Sequence, residues 1–249
     1  MASAPLILVL QHAESETMGL IEPLCRDLKI AWHVCRPYAG EAIPPGTQPY
    51  HGLVALGGPM NVDETGKFPR LADEVKLLQS AFRRHLPVLG VCLGAQLMAK
   101  AAGAAVRKGE QGQELGWFPI RVSDAGRQDP LLAGLPEEFM VFHWHGDTYE
   151  LPAKAVHLAS SALYAQQAFR LGEEAYALQF HVEVTPDMVE RWVRESPGLD
   201  GAAILAGLSD HGPAVTELGR TILTRFLQKI VALEALDDAE ERPAGRDSR

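Results

Sequence analysis

One stretch, residues 86–103, constrains the fold more than any other part of the sequence. It begins with a short apolar run at residues 88–91, which predicts a buried strand, and continues with apolar residues at helical spacing. Between the two lies Gly90-Val-Cys-Leu-Gly94. A strand, a tight turn and a helix in this order are typical of a nucleophile elbow, which holds its central residue at a helix N-terminus. That position favours the thiolate, so we interpret Cys92 as a nucleophile and not only as a small buried side chain.

The composition argues against several classes of protein. The net charge of −9 disfavours a nucleic-acid-binding surface. The cysteines, Cys25, Cys35 and Cys92, are too few and too irregularly spaced for a disulfide framework, which favours a reducing, cytoplasmic location. No apolar run approaches the roughly 18 residues of a membrane span, and the N-terminal apolar run lacks the basic flank of a signal peptide. We therefore expect neither nucleic acid nor a membrane as a partner.

The first part of the chain alternates between strand and helix patterns. A continuous apolar run predicts a strand at residues 6–10, and further strand patterns lie at residues 31–36, 50–56 and 87–91. Helical spacing predicts helices at residues 18–27 and 69–85. Strands and helices that alternate at this spacing indicate parallel strands with helices on both faces. We predict a single three-layer α/β/α domain with a central, mostly parallel sheet.

The second part contains shorter strand patterns and two helices. The strand patterns lie at residues 117–122, 140–144, 155–160, 167–171 and 176–180. Thr185 followed by Pro186 indicates a helix that starts there, and a further helix is predicted from Pro213 to residue 236. Residues 237–249 are charged and poor in large apolar side chains, so we predict a domain at residues 1–236 and a disordered tail at 237–249.

A second motif follows the strand pattern at residues 176–180, where the chain reads Gln179-Phe-His-Val-Glu183. His181 and Glu183 lie two residues apart, so on an extended backbone both side chains point to the same side. A cysteine nucleophile needs a base that activates the thiol, and the base needs an acceptor that orients it. Cys92, His181 and Glu183 could fill these three roles.

Together, the cysteine elbow and the Phe-His-x-Glu motif resemble the class I, or triad, glutamine amidotransferases. Two further stretches fit, namely Gly57-Gly-Pro59 at a strand end and His143-Trp-His-Gly-Asp147, which is similar to a stretch in the glutaminase domain of GMP synthetase. The four motifs occur in the order of the family, over residues 6–190. The resemblance implies the flavodoxin-like fold of that family and no metal or cofactor.

The resemblance also implies residue roles. Cys92 would attack the side-chain amide of glutamine, His181 would activate the thiol and protonate the departing ammonia, and Glu183 would orient the imidazole. A γ-glutamyl thioester on Cys92 would then be hydrolysed to glutamate. The backbone amides of Gly58 and Leu93 would form the oxyanion hole. Substrate-binding positions would be Gly57, Met60, Gln96, Trp144 and Asp147.

The chain departs from the family pattern in three places. Val182 stands where the family commonly has proline, and valine is compatible with a strand. Trp144 stands where several relatives have a smaller polar residue, which would alter the glutamine pocket. The residues after the motifs leave room for helices and a tail only, so we expect any ammonia acceptor to be a synthetase on a separate chain.

Other polar residues have simpler interpretations. His143 and His145 could face one metal ion, but no acidic residue accompanies them at ligand spacing, so we expect His145 to be structural or to line a pocket. We expect the acidic residues of two predicted loops to be solvated: Glu14, Glu16, Asp63 and Glu64.

Alternative functions remain open at this point. A γ-glutamyl peptidase would use the same carbonyl chemistry with a different leaving amine. A non-catalytic binding subunit would use the fold without the reaction, although all three triad residue types are present. A cysteine hydrolase acting on an unrelated small amide or ester is a further alternative, which Gln96 and the Gly57-Gly58 stretch disfavour.

Overall fold

The computed structural model describes the backbone of residues 4–241 and the side chains of residues 4–236. Its strands are β1 (Leu6–Leu10), β2 (Ala31–Cys35), β3 (Gly52–Ala55), β4 (Val88–Val91), β5 (Val106–Lys108), β6 (Glu114–Val122), β7 (Glu138–His145), β8 (Asp147–Tyr149), β9 (Ala155–Ser160), β10 (Ala168–Leu171) and β11 (Ala175–Leu178). Its helices are α1 (Ile21–Asp27), α2 (Arg70–Arg83), α3 (Leu93–Ala101), α4 (Asp124–Gln128), α5 (Pro186–Glu195) and α6 (Gly201–Glu241).

Nine strands form one sheet in the order β2-β1-β3-β4-β11-β10-β9-β6-β7. The five strands from β2 to β11 pair in parallel, and the remaining four extend the sheet by antiparallel pairing. Seven of the nine strands point in one direction, and only β6 and β10 run the other way. The predicted three-layer fold with a mostly parallel sheet is confirmed. The prediction missed β5 and β8, which form a separate two-stranded sheet.

Helices cover both faces of the sheet, and β1 illustrates why. Its side chains alternate, so Ile7 and Val9 pack in one hydrophobic core and Leu8 and Leu10 in the other. The first core includes residues of α1 and α6, and the second includes residues of α2 and α3. A strand covered on both faces must be apolar throughout, which is the pattern on which its prediction was based.

The last helix differs from the prediction at both ends. It starts at Gly201, not at Pro213, and Pro213 lies inside it. Gly212 precedes the proline and has no Cβ to clash with the proline ring, which makes a helical backbone acceptable there. The helix continues to Glu241, five residues into the predicted tail, and residues 242–249 lie outside the described part of the chain.

None of the helices within residues 4–241 has the length and apolar character that crossing a membrane requires.

Candidate active site

Cys92 occupies a strained turn between β4 and α3. Its φ is +52° and its ψ is −107°, a backbone conformation that side chains other than glycine rarely adopt. The turn is held by a hydrogen bond from the Cys92 amide to the carbonyl of Leu178 in β11, at 2.8 Å. Gly94 allows α3 to approach β3, because a Cβ there would lie 2.0 Å from the carbonyl oxygen of Ala55. The strand, turn and helix predicted from residues 86–103 are therefore present.

His181 and Glu183 lie beyond the end of β11, next to the elbow. His181 Nδ1 is 2.6 Å from Glu183 Oε1, and both side chains are 1% exposed. Because Nδ1 faces the carboxylate, it carries the proton and donates the hydrogen bond. His181 Nε2 has no hydrogen-bond partner among the described residues, so it is free to exchange a proton with the thiol.

The charges around His181 favour its protonated form. Burial by itself would lower the pKa of His181, but Glu183 and the neighbouring Cys92 outweigh it and raise that pKa well above its ordinary value. The indole of Trp192 in α5 packs edge-on against the imidazole, with ring centroids 4.9 Å apart. The raised pKa makes His181 a stronger base toward the neighbouring thiol, as a cysteine–histidine pair requires.

Two backbone amides next to the thiol are available for an oxyanion. The Leu93 amide is the first of α3, and neither it nor the Gly58 amide donates a hydrogen bond to a described residue. The two residues adjoin, since a Cβ on Gly58 would lie 2.7 Å from Leu93 Cδ2. Free amides at a helix N-terminus are the usual donors of an oxyanion hole.

Cys92 lines an open cavity, the thiol cavity. It is lined by six of the residues predicted for the site: Gly58, Met60, Cys92, Gln96, Trp144 and Asp147. The other four, Gly57, Leu93, His181 and Glu183, do not line it. Gly57 lies next to His181, since a Cβ on Gly57 would be 3.0 Å from His181 Cε1. The structure therefore brings the predicted residues to one place.

Gln96 and Asp147 are linked to each other and to their surroundings. Gln96 Nε2 donates to Gln179 Oε1 at 3.2 Å and to the carbonyl of Asp147 at 3.4 Å. Asn61 Nδ2 donates to Asp147 Oδ2 at 2.5 Å. The thiol of Cys92 donates to the carbonyl of Trp144 at 3.6 Å. These bonds fix the stretch at residues 144–147 against α3, on one wall of the cavity.

The structure supplies the acidic partner of the histidines that was absent from the sequence pattern. Glu114 Oε2 lies 3.0 Å from His145 Nε2 and 3.6 Å from His143 Nδ1, and it accepts a hydrogen bond from Gln167 at 2.6 Å. Burial lowers the pKa of His143 to about 3, so this ring is neutral. His145 Nδ1 in turn bonds the carbonyl of Asp147 at 3.0 Å, and this network therefore supports the cavity wall.

Two groups of side chains in the described residues could hold a metal ion, since their ligand atoms lie within 4.8 Å of one another. They are Glu114 with His143 and His145, and Glu16 with His181 and Glu183. In both groups, direct hydrogen bonds join a histidine to a glutamate. These bonds account for the closeness of the side chains in each group.

Glu16 was expected to be a solvated loop charge, and this expectation is wrong. Its side chain is buried, lines the thiol cavity and approaches the triad. Burial raises the pKa of Glu16 to about 7, and Glu183 adds to the increase while His181 opposes it. Trp192 Nε1 donates to the carbonyl of Ser15 at 2.9 Å and so attaches this loop to α5, a contact that no local pattern indicates.

The comparisons with known proteins agree with this geometry. The model of the family described as "Glutamine amidotransferase class-I" matches residues 25–192. The chain belongs to this family. The resemblance noted from the four motifs is therefore confirmed.

Individual relatives extend the comparison. The chain is 35% identical over 175 residues to YfeJ of Salmonella typhimurium, a glutamine amidotransferase-like protein, and the match covers 69% of this chain and 72% of that protein. It is 33% identical over 136 residues to the glutamine-hydrolyzing GMP synthase of Symbiobacterium thermophilum, a match that covers 53% of this chain but 24% of that enzyme.

Solved structures of free-standing family members share the whole fold. A glutamine amidotransferase from Thermotoga maritima superimposes with a TM-score of 0.82 at 30% identity, covering 90% of this chain and 98% of that one. Another from Methylobacillus flagellatus has a TM-score of 0.84 at 25% identity, covering 99% of this chain and 100% of that one.

Proposed function

We propose that this family member is a glutaminase-type cysteine hydrolase, which cleaves the γ-amide of glutamine or a γ-glutamyl amide through Cys92, His181 and Glu183. The observation that carries the proposal is the state of His181. Glu183 holds its Nδ1 at 2.6 Å, while its Nε2 is unpartnered beside a thiol that lines a cavity. An oriented base and a nucleophile that a substrate can reach are the requirements of covalent acyl transfer.

The reaction follows from these positions. The thiol passes its proton to His181 Nε2, and the thiolate attacks the γ-carbonyl carbon. The amides of Gly58 and Leu93 bind the oxyanion of the tetrahedral intermediate. His181 then protonates the departing nitrogen, which leaves as ammonia or an amine, and a γ-glutamyl thioester remains on Cys92. Water that loses a proton to His181 hydrolyses the thioester and releases glutamate.

The amino-acid end of the substrate would bind on the cavity wall that includes residues 144–147. Met60, Trp144 and Asp147 line this wall, and Asn61 fixes the Asp147 carboxylate. A carboxylate at this position suits an α-ammonium group. Gln96 would act mainly by supporting the wall, because its amide nitrogen already bonds Gln179 and Asp147.

The fate of the ammonia is part of the proposal. Relatives of this chain include glutamine-hydrolyzing GMP synthases from Symbiobacterium thermophilum and Cytophaga hutchinsonii, whose names state that glutamine is hydrolysed by a synthase. We propose that, if the product is ammonia, a synthetase on a separate chain receives it.

One observation favours a γ-glutamyl peptidase as a second candidate. A further cavity, with an empty volume of about 810 Å³, shares Glu16, Pro59 and Trp144 with the thiol cavity. Ammonia needs no such space, whereas the amino acid or peptide that leaves a γ-glutamyl peptide does.

Glutamate release from the purified chain separates these candidates. We expect release from glutamine or from a panel of γ-glutamyl dipeptides, and its loss in Cys92→Ala. Release from glutamine supports the amidotransferase half-reaction, and release from the dipeptides alone supports the peptidase. If no substrate releases glutamate and a glutamine-like electrophile does not modify Cys92, the hydrolase proposal is wrong for the isolated chain, and a non-catalytic binding role is favoured.

A further inference from the structure

Glu16 is a buried carboxylate that the reaction described above does not use. The residue is 9% exposed, and its Oε2 has no hydrogen-bond partner among the described residues. A buried, unpartnered carboxylate oxygen is costly, so its retention at a site needs an explanation.

The carboxylate of Glu16 faces the base of the triad. One of its oxygens, a ring nitrogen of His181 and a carboxyl oxygen of Glu183 all lie within 4.8 Å of one another. Gly57 lies close to both the Glu16 and the His181 side chains. A Cβ on this glycine would lie 2.5 Å from Glu16 Oε2 and 3.0 Å from His181 Cε1. The Glu16 carboxylate therefore approaches the imidazole beside the Gly57 backbone, whereas Glu183 binds the ring at Nδ1.

The loop that carries Glu16 is fastened on both sides. Before it, the carbonyl of Ser15 accepts a hydrogen bond from Trp192, the residue whose indole packs on His181. After it, the amide of Leu20 donates to the carbonyl of Glu183 at 2.8 Å. The loop is thus attached to the elements that hold the base, and Glu16 has a defined place beside it.

We propose that Glu16 is a positioning residue of the catalytic centre, a second carboxylate that stabilises the imidazolium of His181 while Cys92 is a thiolate. This inference rests on the proposed function. Glu16 takes up no proton from the reactants: the thiol proton moves to His181 Nε2 and from there to the leaving nitrogen. The carboxylate acts on this step through its charge, which is close to the ring and shielded from water.

The surrounding charges set the pH range in which the Glu16 carboxylate is charged. His181 and Glu183 face it from beyond β11, and His12, which is paired with Glu74, faces it from the end of β1. Cys92 and the neutral His143 are the other titratable groups near the His181 ring. Since the pKa of Glu16 is raised to about 7, its carboxyl is neutral at lower pH and charged at higher pH.

The pH profile of kcat/KM for glutamate release tests this role. Glu16→Gln removes the charge, so the imidazolium of His181 should lose its proton at lower pH than in the wild type. We therefore expect the alkaline limb of the profile to shift to lower pH by about one unit. The acid limb should stay in place, because Glu16 is already neutral there. Glu16→Asp, which keeps a carboxylate, should restore part of the wild-type limb, a result that a purely steric role does not produce.

A matched control removes a negative charge nearby. Glu22→Gln changes an exposed glutamate in α1 that pairs with Arg26, and its profile should superimpose on that of the wild type. An alkaline limb that is unchanged in Glu16→Gln, or moved equally in Glu22→Gln, would overturn the inference.

NMR titration of the His181 imidazole separates this inference from the proposed function, because it needs no substrate. We expect its pKa to fall by about one unit in Glu16→Gln. If the wild type releases no glutamate but this shift occurs, the proposed function fails and the interaction of Glu16 with His181 stands. If the wild type hydrolyses glutamine and the His181 titration is the same in both proteins, only the role of Glu16 is wrong.

Discussion

The backbone amide of Cys92 donates a hydrogen bond to the carbonyl of Leu178 at 2.8 Å. This bond joins the nucleophile elbow to the strand that ends just before His181, so the thiol and its base share one rigid support. β4 and β11 are adjacent and parallel, which places the ends of both strands at the same edge of the sheet. The strained backbone of Cys92 persists because this pairing and the contact of Gly94 with Ala55 hold it.

The close approach at Gly94 predicts a large effect of a small substitution. In Gly94→Ala, the new Cβ would lie 2.0 Å from the backbone carbonyl oxygen of Ala55, and backbone cannot move aside cheaply. We expect the free energy of unfolding to fall by about 3 kcal/mol in urea denaturation. Gly66→Ala is the control, because a Cβ there meets nothing within 4 Å. Equal stability of the two variants would contradict the packing described here.

The Glu114 network predicts a defect in substrate binding. Glu114→Ala removes the carboxylate that holds His145, and His145 holds the carbonyl of Asp147 on the cavity wall. We expect KM for the substrate to rise by about tenfold or more, with a smaller change in kcat, because His145 bonds this wall at Asp147, whereas the Cys92 thiol contacts it at Trp144. Steady-state glutamate release measures both constants.

The control for this substitution is Glu110→Ala, which changes an exposed glutamate shortly before β6. Its constants should match those of the wild type. A fall in kcat of Glu114→Ala at unchanged KM would mean that the network serves the triad instead of the wall.

His12 and Glu74 form a buried ion pair that predicts a pH dependence of stability. His12 Nε2 lies 2.6 Å from Glu74 Oε2, with both side chains 1% exposed, and His12 Nδ1 bonds the carbonyl of Gly57 at 3.0 Å. Burial would lower the pKa of His12, but Glu74 outweighs this effect and raises it. The pair's contribution is fully present below the unfolded-state pKa of about 6.5 and is lost as the pH rises through the folded-state pKa.

Glu74→Gln tests this linkage. The substitution removes the charge that favours the imidazolium, so we expect a loss of about 2 kcal/mol in the free energy of unfolding at mildly acidic pH. The difference from the wild type should shrink as the pH rises. Urea denaturation at a series of pH values measures it, and a difference that does not depend on pH would rule out a charged His12.

The geometry of the candidate triad was predictable because its signals are local. Gly90, Cys92 and Gly94 describe a turn within five residues, and the alternation of an extended chain places His181 and Glu183 on one side. Apolar runs at strand length predicted the parallel half of the sheet for the same reason. Each of these patterns is contained in one segment.

The remaining features depend on contacts between distant segments. Glu16 follows the pattern of a loop acid, and its loop is held near the triad by bonds from distant segments, from Trp192 to Ser15 and from Leu20 to Glu183. Glu114 meets His145 through strand pairing of β6 with β7. The helix start at Pro213 followed a local rule that tertiary packing overrides, since Gly207 leaves room for the Trp117 ring in the first half of α6.

The most direct test of the central claim is to look for the γ-glutamyl thioester on Cys92. The chain would be mixed with glutamine or a γ-glutamyl dipeptide, quenched in acid within the first turnovers, digested and analysed by mass spectrometry. The mechanism predicts a glutamyl adduct on the peptide that contains Cys92, no adduct in Cys92→Ala, and a loss of glutamate release of at least about a thousandfold in that variant. Glutamate release that persists in Cys92→Ala would contradict the assignment of Cys92 as the nucleophile.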